Sequence, residues 1–315
     1  MSGLRKLQRD RLQAELSTVG RMLDQLSDED VVMRFGLQDR QLELQEAVAQ
    51  LGEAAPDRTA STALYFGGKP VIGTRGVESE FGSRAVTMFQ DLVAKQFAHE
   101  TGGLGQRGIV PNKGAARLHI TNVVRGSFGF VLEELDDQGP LLDTALKDSV
   151  DHVSDLFAAF CDDNEDRFEA AVAEVDERVL ATTKDFFALM RQSGATFRMV
   201  TGERDRSMLA DEIERAERRA TTTTVEDDDE SIEGVFSSAL PEGHQMEFRT
   251  LSERGTIRGR VARSYSAAEI VELNREWMEK PAIGQFKVRK VLKDGALVRE
   301  SFTLSGVVAP PAEQQ

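Results

Sequence analysis

Residues 246–261, Met246-Glu247-Phe248-Arg249-Thr250-Leu251-Ser252-Glu253-Arg254-Gly255-Thr256-Ile257-Arg258-Gly259-Arg260-Val261, hold two runs in which apolar and charged side chains alternate. A period of two puts the apolar set on one face of a strand and the charged set on the other. The alternation returns in Phe286-Lys287-Val288-Arg289, and residues 297–304 follow it across an Asp294-Gly295 pair suited to a tight turn. Between the two strand groups, residues 266–280 carry Ile270, Leu273 and Trp277 at helical spacing. About five half-buried strands, with a helix between the third and fourth, predict a small SH3-like or OB-like β-barrel over residues 231–308.

Moving toward the N-terminus, Asp227-Asp228-Asp229-Glu230 sets four carboxylates side by side. Their mutual repulsion predicts a boundary ahead of the barrel rather than the interior of an element. Residues 197–201 and 221–226 are strand-like on either side of a charged helix over 207–218, a strand-helix-strand arrangement. Residues 142–160 and 168–190 each show a helical stripe, the first of Leu142, Leu146, Val150, Val153, Phe157 and Phe160. From Asp136 to Arg191 there are fifteen Asp/Glu against five Lys/Arg, so these two long helices should present acidic outer faces to solvent.

Ahead of them, Ala63-Leu64-Tyr65-Phe66, Gly67-Gly68 and Val71-Ile72 read as one hairpin, and residues 118–124 with 128–135 as a second turning at Arg125-Gly126-Ser127. A helix over 78–99 with Phe81, Ala85, Phe89, Leu92 and Phe97 on one face should cover the resulting sheet. Residues 60–226 are therefore expected to be an α+β body. At the start of the chain, Leu12, Leu16, Val19, Leu23 and Leu26 recur at spacings of four and three, and Leu37, Leu44, Val48 and Leu51 resume the pattern after a break at 27–30. This predicts a helical hairpin or coiled coil over residues 1–53. Its exposed seam would join two copies of the chain, because isolated helices of this length need a partner; capping of the protein's own core is the alternative.

Function is less legible. The single cysteine, Cys161, flanked by Phe157 and Phe160, reads as a buried structural thiol. Four scattered histidines make no metal cluster and sit beside no nucleophile motif, so no metal and no cofactor is expected. The glycine-rich stretch 102–108 lacks the order of a phosphate-binding loop and reads as a loop. No apolar run is long enough to cross a membrane, and the charged first residues have no leader-like apolar segment, which predicts a cytoplasmic protein. A net charge of −15 disfavours nonspecific polyanion binding by the whole molecule, yet from Gly243 onward twelve Lys/Arg exceed nine Asp/Glu.

Two constellations stand out. Arg75, Glu78 and Glu80 after the first hairpin, with Lys113 and Arg125 near the second, could converge on a ligand if their loops meet. Arg258, Arg260, Arg263, Lys287, Arg289 and Lys290 could form a basic strip for single-stranded nucleic acid on the barrel. The leading expectation is a non-enzymatic interaction or scaffold protein, a homodimer through residues 4–53 that docks a protein partner through the barrel. The alternatives are a nucleic-acid-binding barrel, or a hydrolase or phosphoryl-transfer enzyme using carboxylates near Glu78 and Glu80.

Overall fold

The structure, a computed structural model, describes residues 4–27, 30–53, 57–101, 103–105, 107–124, 128–135 and 142–310. The fold is mixed α+β and divides into two compact units, one of residues up to 161 with 181–217, the other of 162–180 with 218 onward.

The first unit is built on a five-stranded antiparallel sheet, β1 (Ser61–Gly68), β4 (His119–Val124), β5 (Phe128–Glu133), β6 (Ala195–Thr201) and β7 (Arg204–Met208), in the order β4-β5-β1-β6-β7. The run Ala63-Leu64-Tyr65-Phe66 is apolar at every position because β1 is central and buried on both faces. Phe66 belongs to an aromatic cluster that takes in α3 (Ser79–Thr101) through Phe81 and, by way of Phe197, α4 (Ala145–Cys161) and the unit's part of α6 (Glu177–Gln192). Within it Phe66 lies 5.4 Å from Phe81, and Phe157 stacks on Phe186 at 4.9 Å. On the opposite face, Ala63, Tyr65, Val131 and Val200 are covered by Leu4 and Leu7 at the start of α1 (Arg5–Gln25). Gly129 of β5 has no alternative: a Cβ there would lie 2.6 Å from the Tyr65 ring and 2.9 Å from the Leu64 carbonyl.

Several sequence expectations are corrected here. Val71–Ile72 (β2) pairs with Gly76–Val77 (β3) rather than closing a hairpin with β1, whose neighbours are β5 and β6. The strand-helix-strand expected over 197–226 is present with an insertion and shifted bounds: β6 forms a hairpin with β7 before α7 (Ala210–Thr222), residues 221 and 222 are helical, and the following strand begins at Thr223. The helix expected over 168–190 is broken into α5 (Glu165–Ala173) and α6, because Asp176 accepts a hydrogen bond from Arg178 N–H (2.8 Å) and starts a new helix. Cys161 is buried.

The second unit is a closed barrel of β8 (Thr223–Leu240), β9 (Gln245–Thr250), β10 (Thr256–Val261), β11 (Lys280–Lys293) and β12 (Ala296–Val308), in the order β10-β12-β11-β8-β9. Four of its pairings are antiparallel; closure comes from the parallel pairing of Arg260 and Val261 with Thr303 and Leu304. At that closure Gly259 lets β12 approach, since a Cβ would sit 2.2 Å from the Phe302 carbonyl oxygen. Phe236, Phe248, Phe286, Val288 and Leu304 fill the interior, and α8 (Ala267–Trp277) packs Ile270, Leu273 and Trp277 against them. Ser266 and Glu269 form a reciprocal capping box that sets the start of α8. Asn274 fixes its register by donating to the Ala239 carbonyl (2.6 Å) and accepting from Ala239 N–H (2.7 Å).

The acidic run 227–230, expected to break the chain, lies inside β8. The reason is the facing strand: Asp227 is opposite Arg289 and Asp229 opposite Lys287, so carboxylates that repel along the strand are held across it.

Candidate functional site

The hairpin is the first place where the structure separates used from unused surface. The α1 stripe Leu12, Leu16, Val19, Leu23 and Leu26 is buried or half-buried. So is a stripe on α2 (Val31–Glu53) made of Leu37, Gln41, Leu44, Val48 and Leu51, also at spacings of four and three. The helices run back along each other, with Arg40 paired to Glu15 (2.6 Å) and Arg34 donating to the Leu26 carbonyl (3.1 Å). The seam read from the sequence is thus filled from within the chain. A second α2 stripe remains in solvent: Val31, Phe35, Gln38, Leu42, Gln45 and Ala49. Val31 is 51% exposed, Phe35 64% and Leu42 58%. None of the six carries a charge.

The barrel treats its charged residues differently. Arg289 holds Asp227 through two hydrogen bonds (2.7 and 2.8 Å), and Lys290 reaches Asp228 (2.7 Å) and Glu230 (3.3 Å). Arg258 pairs with Glu247 (2.8 Å) and Arg260 with Glu174 (2.6 Å). Hydrogen bonds from Arg254 and Lys290 overcome partial burial and hold the Glu230 carboxyl below its usual range. Arg263 and Lys287 are exposed, the latter opposite Asp229. Four of the six residues of the expected basic strip therefore already have carboxylate partners within their own unit. One stretch of β12 has a strand on one side only, with α5 packed nearby. Among the described residues, β12 pairs with β10 only at Thr303 and Leu304, so from Ala296 to Ser301 it is bonded to β11 alone. Leu297 (53% exposed) and Val298 stand on that stretch.

Among the described residues, the loop constellation in the first unit does not converge. Arg75, Glu78 and Glu80 are exposed around the β2–β3 turn and the first turn of α3. Lys113 is bound instead to Asp91 (3.0 Å), eleven residues further along α3, or about 16 Å at the helical rise. Arg125, like Gly126 and Ser127, lies outside the described residues, as do Gly102 and Gln106 of the glycine-rich loop.

Sequence reasoning also missed a polar network between α3 and α4. Glu100 accepts hydrogen bonds from Gln96 Nε2 (2.6 Å) and Ser149 Oγ (2.6 Å), and His152 Nδ1 lies 2.5 Å from it. Burial opposes the Glu100 charge, but these partners outweigh it and keep the carboxyl below its usual range, while Glu100 raises the His152 imidazole. The network ties two helices together, with the serine and histidine both bound to the carboxylate rather than to each other. Among the described residues no group of His, Cys, Asp and Glu could hold a metal ion, and no helix is long and apolar enough to cross a membrane. No protein-family model, curated protein or solved structure matches this chain.

Proposed function

We propose that this protein is a non-catalytic interaction protein that pairs with a second copy through α2 and docks a partner on its C-terminal barrel. The observation that carries this reading is the charge-free stripe Val31, Phe35, Gln38, Leu42, Gln45 and Ala49, exposed on a chain of net charge −15. A two-fold contact sets a patch against itself, so a stripe without charges is the face on which like charges do not oppose pairing. Its spacing of four, three, four, three, four is the same read in either direction. An antiparallel pair would place Val31 opposite Ala49, Phe35 opposite Gln45 and Gln38 opposite Leu42, a large residue meeting a smaller or polar one in the first two.

The barrel's path, β8-β9-β10-β12-β11 with α8 between the third and fourth strands, supports an OB-type rather than an SH3-like barrel. Nucleic acid on such barrels lies across the second and third strands. Here those strands hold Arg249, Arg258 and Arg260, each paired with a glutamate, and expose no aromatic ring for a base to stack on. The stretch of β12 without a second strand, bearing exposed Leu297 and Val298, instead favours a protein partner that adds an extended segment to the sheet.

The test is Phe35→Asp with Leu42→Asp. Sedimentation velocity should show a wild-type two-chain species that the double variant converts to single chains, with the variant's unfolding midpoint equal to that of wild type diluted to single chains. An unchanged sedimentation coefficient in the variant would overturn the pairing face.

A further inference from the structure

The sheet of the first unit ends in two edge strands that are built in opposite ways. On β7, Arg204, Asp205 and Arg206 each hold an ion pair, to Asp151 (3.1 Å), Arg198 (2.7 Å) and Glu212 (3.6 Å). Charges of this kind keep a sheet edge from pairing with another chain. The other edge has no such guard. β4 reads His119-Ile120-Thr121-Asn122-Val123-Val124, without Asp, Glu, Lys or Arg, and His119 to Val123 are all exposed. Among the described residues β4 is bonded to β5 alone, so its outer row of N–H and C=O groups faces no strand.

A bulge decides where the β4 side chains go. Its pairing with β5 sets Ile120 opposite Leu132, Asn122 opposite Val131 and Val123 opposite Phe130, leaving Thr121 as the extra residue. In a regular strand Ile120 and Val123 would lie on opposite faces. The bulge puts both on the face of Leu132 and Phe130, where Phe66 meets Phe130 and the α3 residue Phe81. There Ile120 is 55% and Val123 47% exposed, beside the half-buried rings of Phe128 and Phe130, which meet edge to face at 5.6 Å. An exposed apolar shelf thus borders an unpaired backbone edge.

The start of this edge is fixed from α3. Gln90 donates to the Ala116 carbonyl (2.6 Å) and accepts from Leu118 N–H (2.8 Å) just ahead of the strand. A rail held in place before binding costs less ordering when a partner arrives. At the same end Arg117 is exposed and makes no ion pair among the described residues.

We infer that β4 receives an extended peptide that pairs with it antiparallel, sets alternate apolar side chains on the Ile120/Val123 shelf and brings an acidic C-terminal end to Arg117. The backbone groups along the edge call for a strand, and a shelf on one face calls for a period of two. Antiparallel pairing is the more stable form and carries the C-terminal end of the peptide to the start of β4. A second copy of β4 would bring no carboxylate to Arg117, so charge favours a different chain. Neither the α2 stripe nor the barrel contributes a residue to this surface.

The test is fluorescence anisotropy of a labelled synthetic peptide that alternates valine with threonine and ends in aspartate, titrated with the full chain. Saturable binding is expected, weakened about tenfold by Ile120→Lys and roughly threefold by Arg117→Gln, and unchanged by Leu297→Lys on the barrel. Methylating the backbone nitrogens of the peptide should abolish binding, because they supply hydrogen bonds to the edge. If thermal unfolding shows that Ile120→Lys does not fold, Val123→Lys takes its place. No saturable binding, equal binding by the Ile120 variant, loss of binding in the Leu297 variant, or unchanged affinity for the methylated peptide would each overturn the assignment. Light scattering in which Ile120→Lys converts a two-chain species to single chains would give the edge to a second copy and overturn it as well.

Discussion

The hairpin and the barrel handle unfavourable surface in opposite ways. In the barrel, neighbouring strands hold side chains at a fixed cross-strand spacing, and each run of charge meets its complement: Asp227 meets Arg289, and Asp228 and Glu230 meet Lys290. In the hairpin, α1 covers one side of α2 and nothing within the hairpin covers the rest of its circumference, so Phe35 and Leu42 stay in solvent. A sheet can thus neutralise a like-charged stretch that a sequence presents as a break. A two-helix hairpin leaves apolar surface over whenever one of its helices has two apolar stripes.

The largest effect is expected at the barrel closure. Gly259→Val drives a side chain into the Phe302 carbonyl and should cost about 3 kcal/mol in denaturant unfolding, whereas Gly36→Val on α2, where a Cβ meets nothing within 4 Å, should cost far less. Next, Arg289→Met leaves Asp227 without its two-point partner; a loss of about 2 kcal/mol is expected, most of it recovered when Asp227→Leu is added. If the single change is silent, the barrel's charges are not held by one another and the contrast fails.

Two further predictions concern pH. Hydrogen bonds from Arg198, acting against desolvation and joined by Lys6, hold the Asp205 carboxyl down at about 2. Its contribution is present above the ordinary carboxylate value near 3.8 and is lost as pH falls toward 2. Asp205→Asn should cost about 1 kcal/mol at neutral pH, solvent screening included, and flatten the acid limb of a stability-pH curve. His152 has the opposite sign. Glu100 raises its imidazole, so the contribution is full below about 6.5 and disappears as pH rises through the raised folded value. His152→Gln should remove under about 1 kcal/mol at pH 6 and progressively less as pH rises through the raised folded value. The smallest effect belongs to α2: Phe35→Ser should leave unfolding in dilute solution within about 0.5 kcal/mol of wild type, as expected of an exposed side chain.

Much of the fold was readable from local pattern. The two α1 and α2 helices, α3, the β4–β5 pair, α8 with Trp277 on its inner side and the β11–β12 turn at Asp294-Gly295 follow from periodicity and turn chemistry. Interactions between segments distant in the chain were not readable. The acidic run became a strand because of Arg289, sixty-two residues away. Residues 71–72 left β1 because β5 and β6 occupy both of its edges. Residues 174–176 interrupt a helical stripe that Val175 and Val179 continue in the sequence. Of the candidate site residues, Glu78 and Glu80 lie at the start of α3, whereas Lys113 binds Asp91 further along it, which only the course of the chain after α3 decides.

Static light scattering of the chain over a dilution series decides whether the uncharged α2 stripe pairs two copies. Twice the single-chain mass, giving way to the single-chain mass on dilution, is the predicted result; the single-chain mass at every concentration would contradict it.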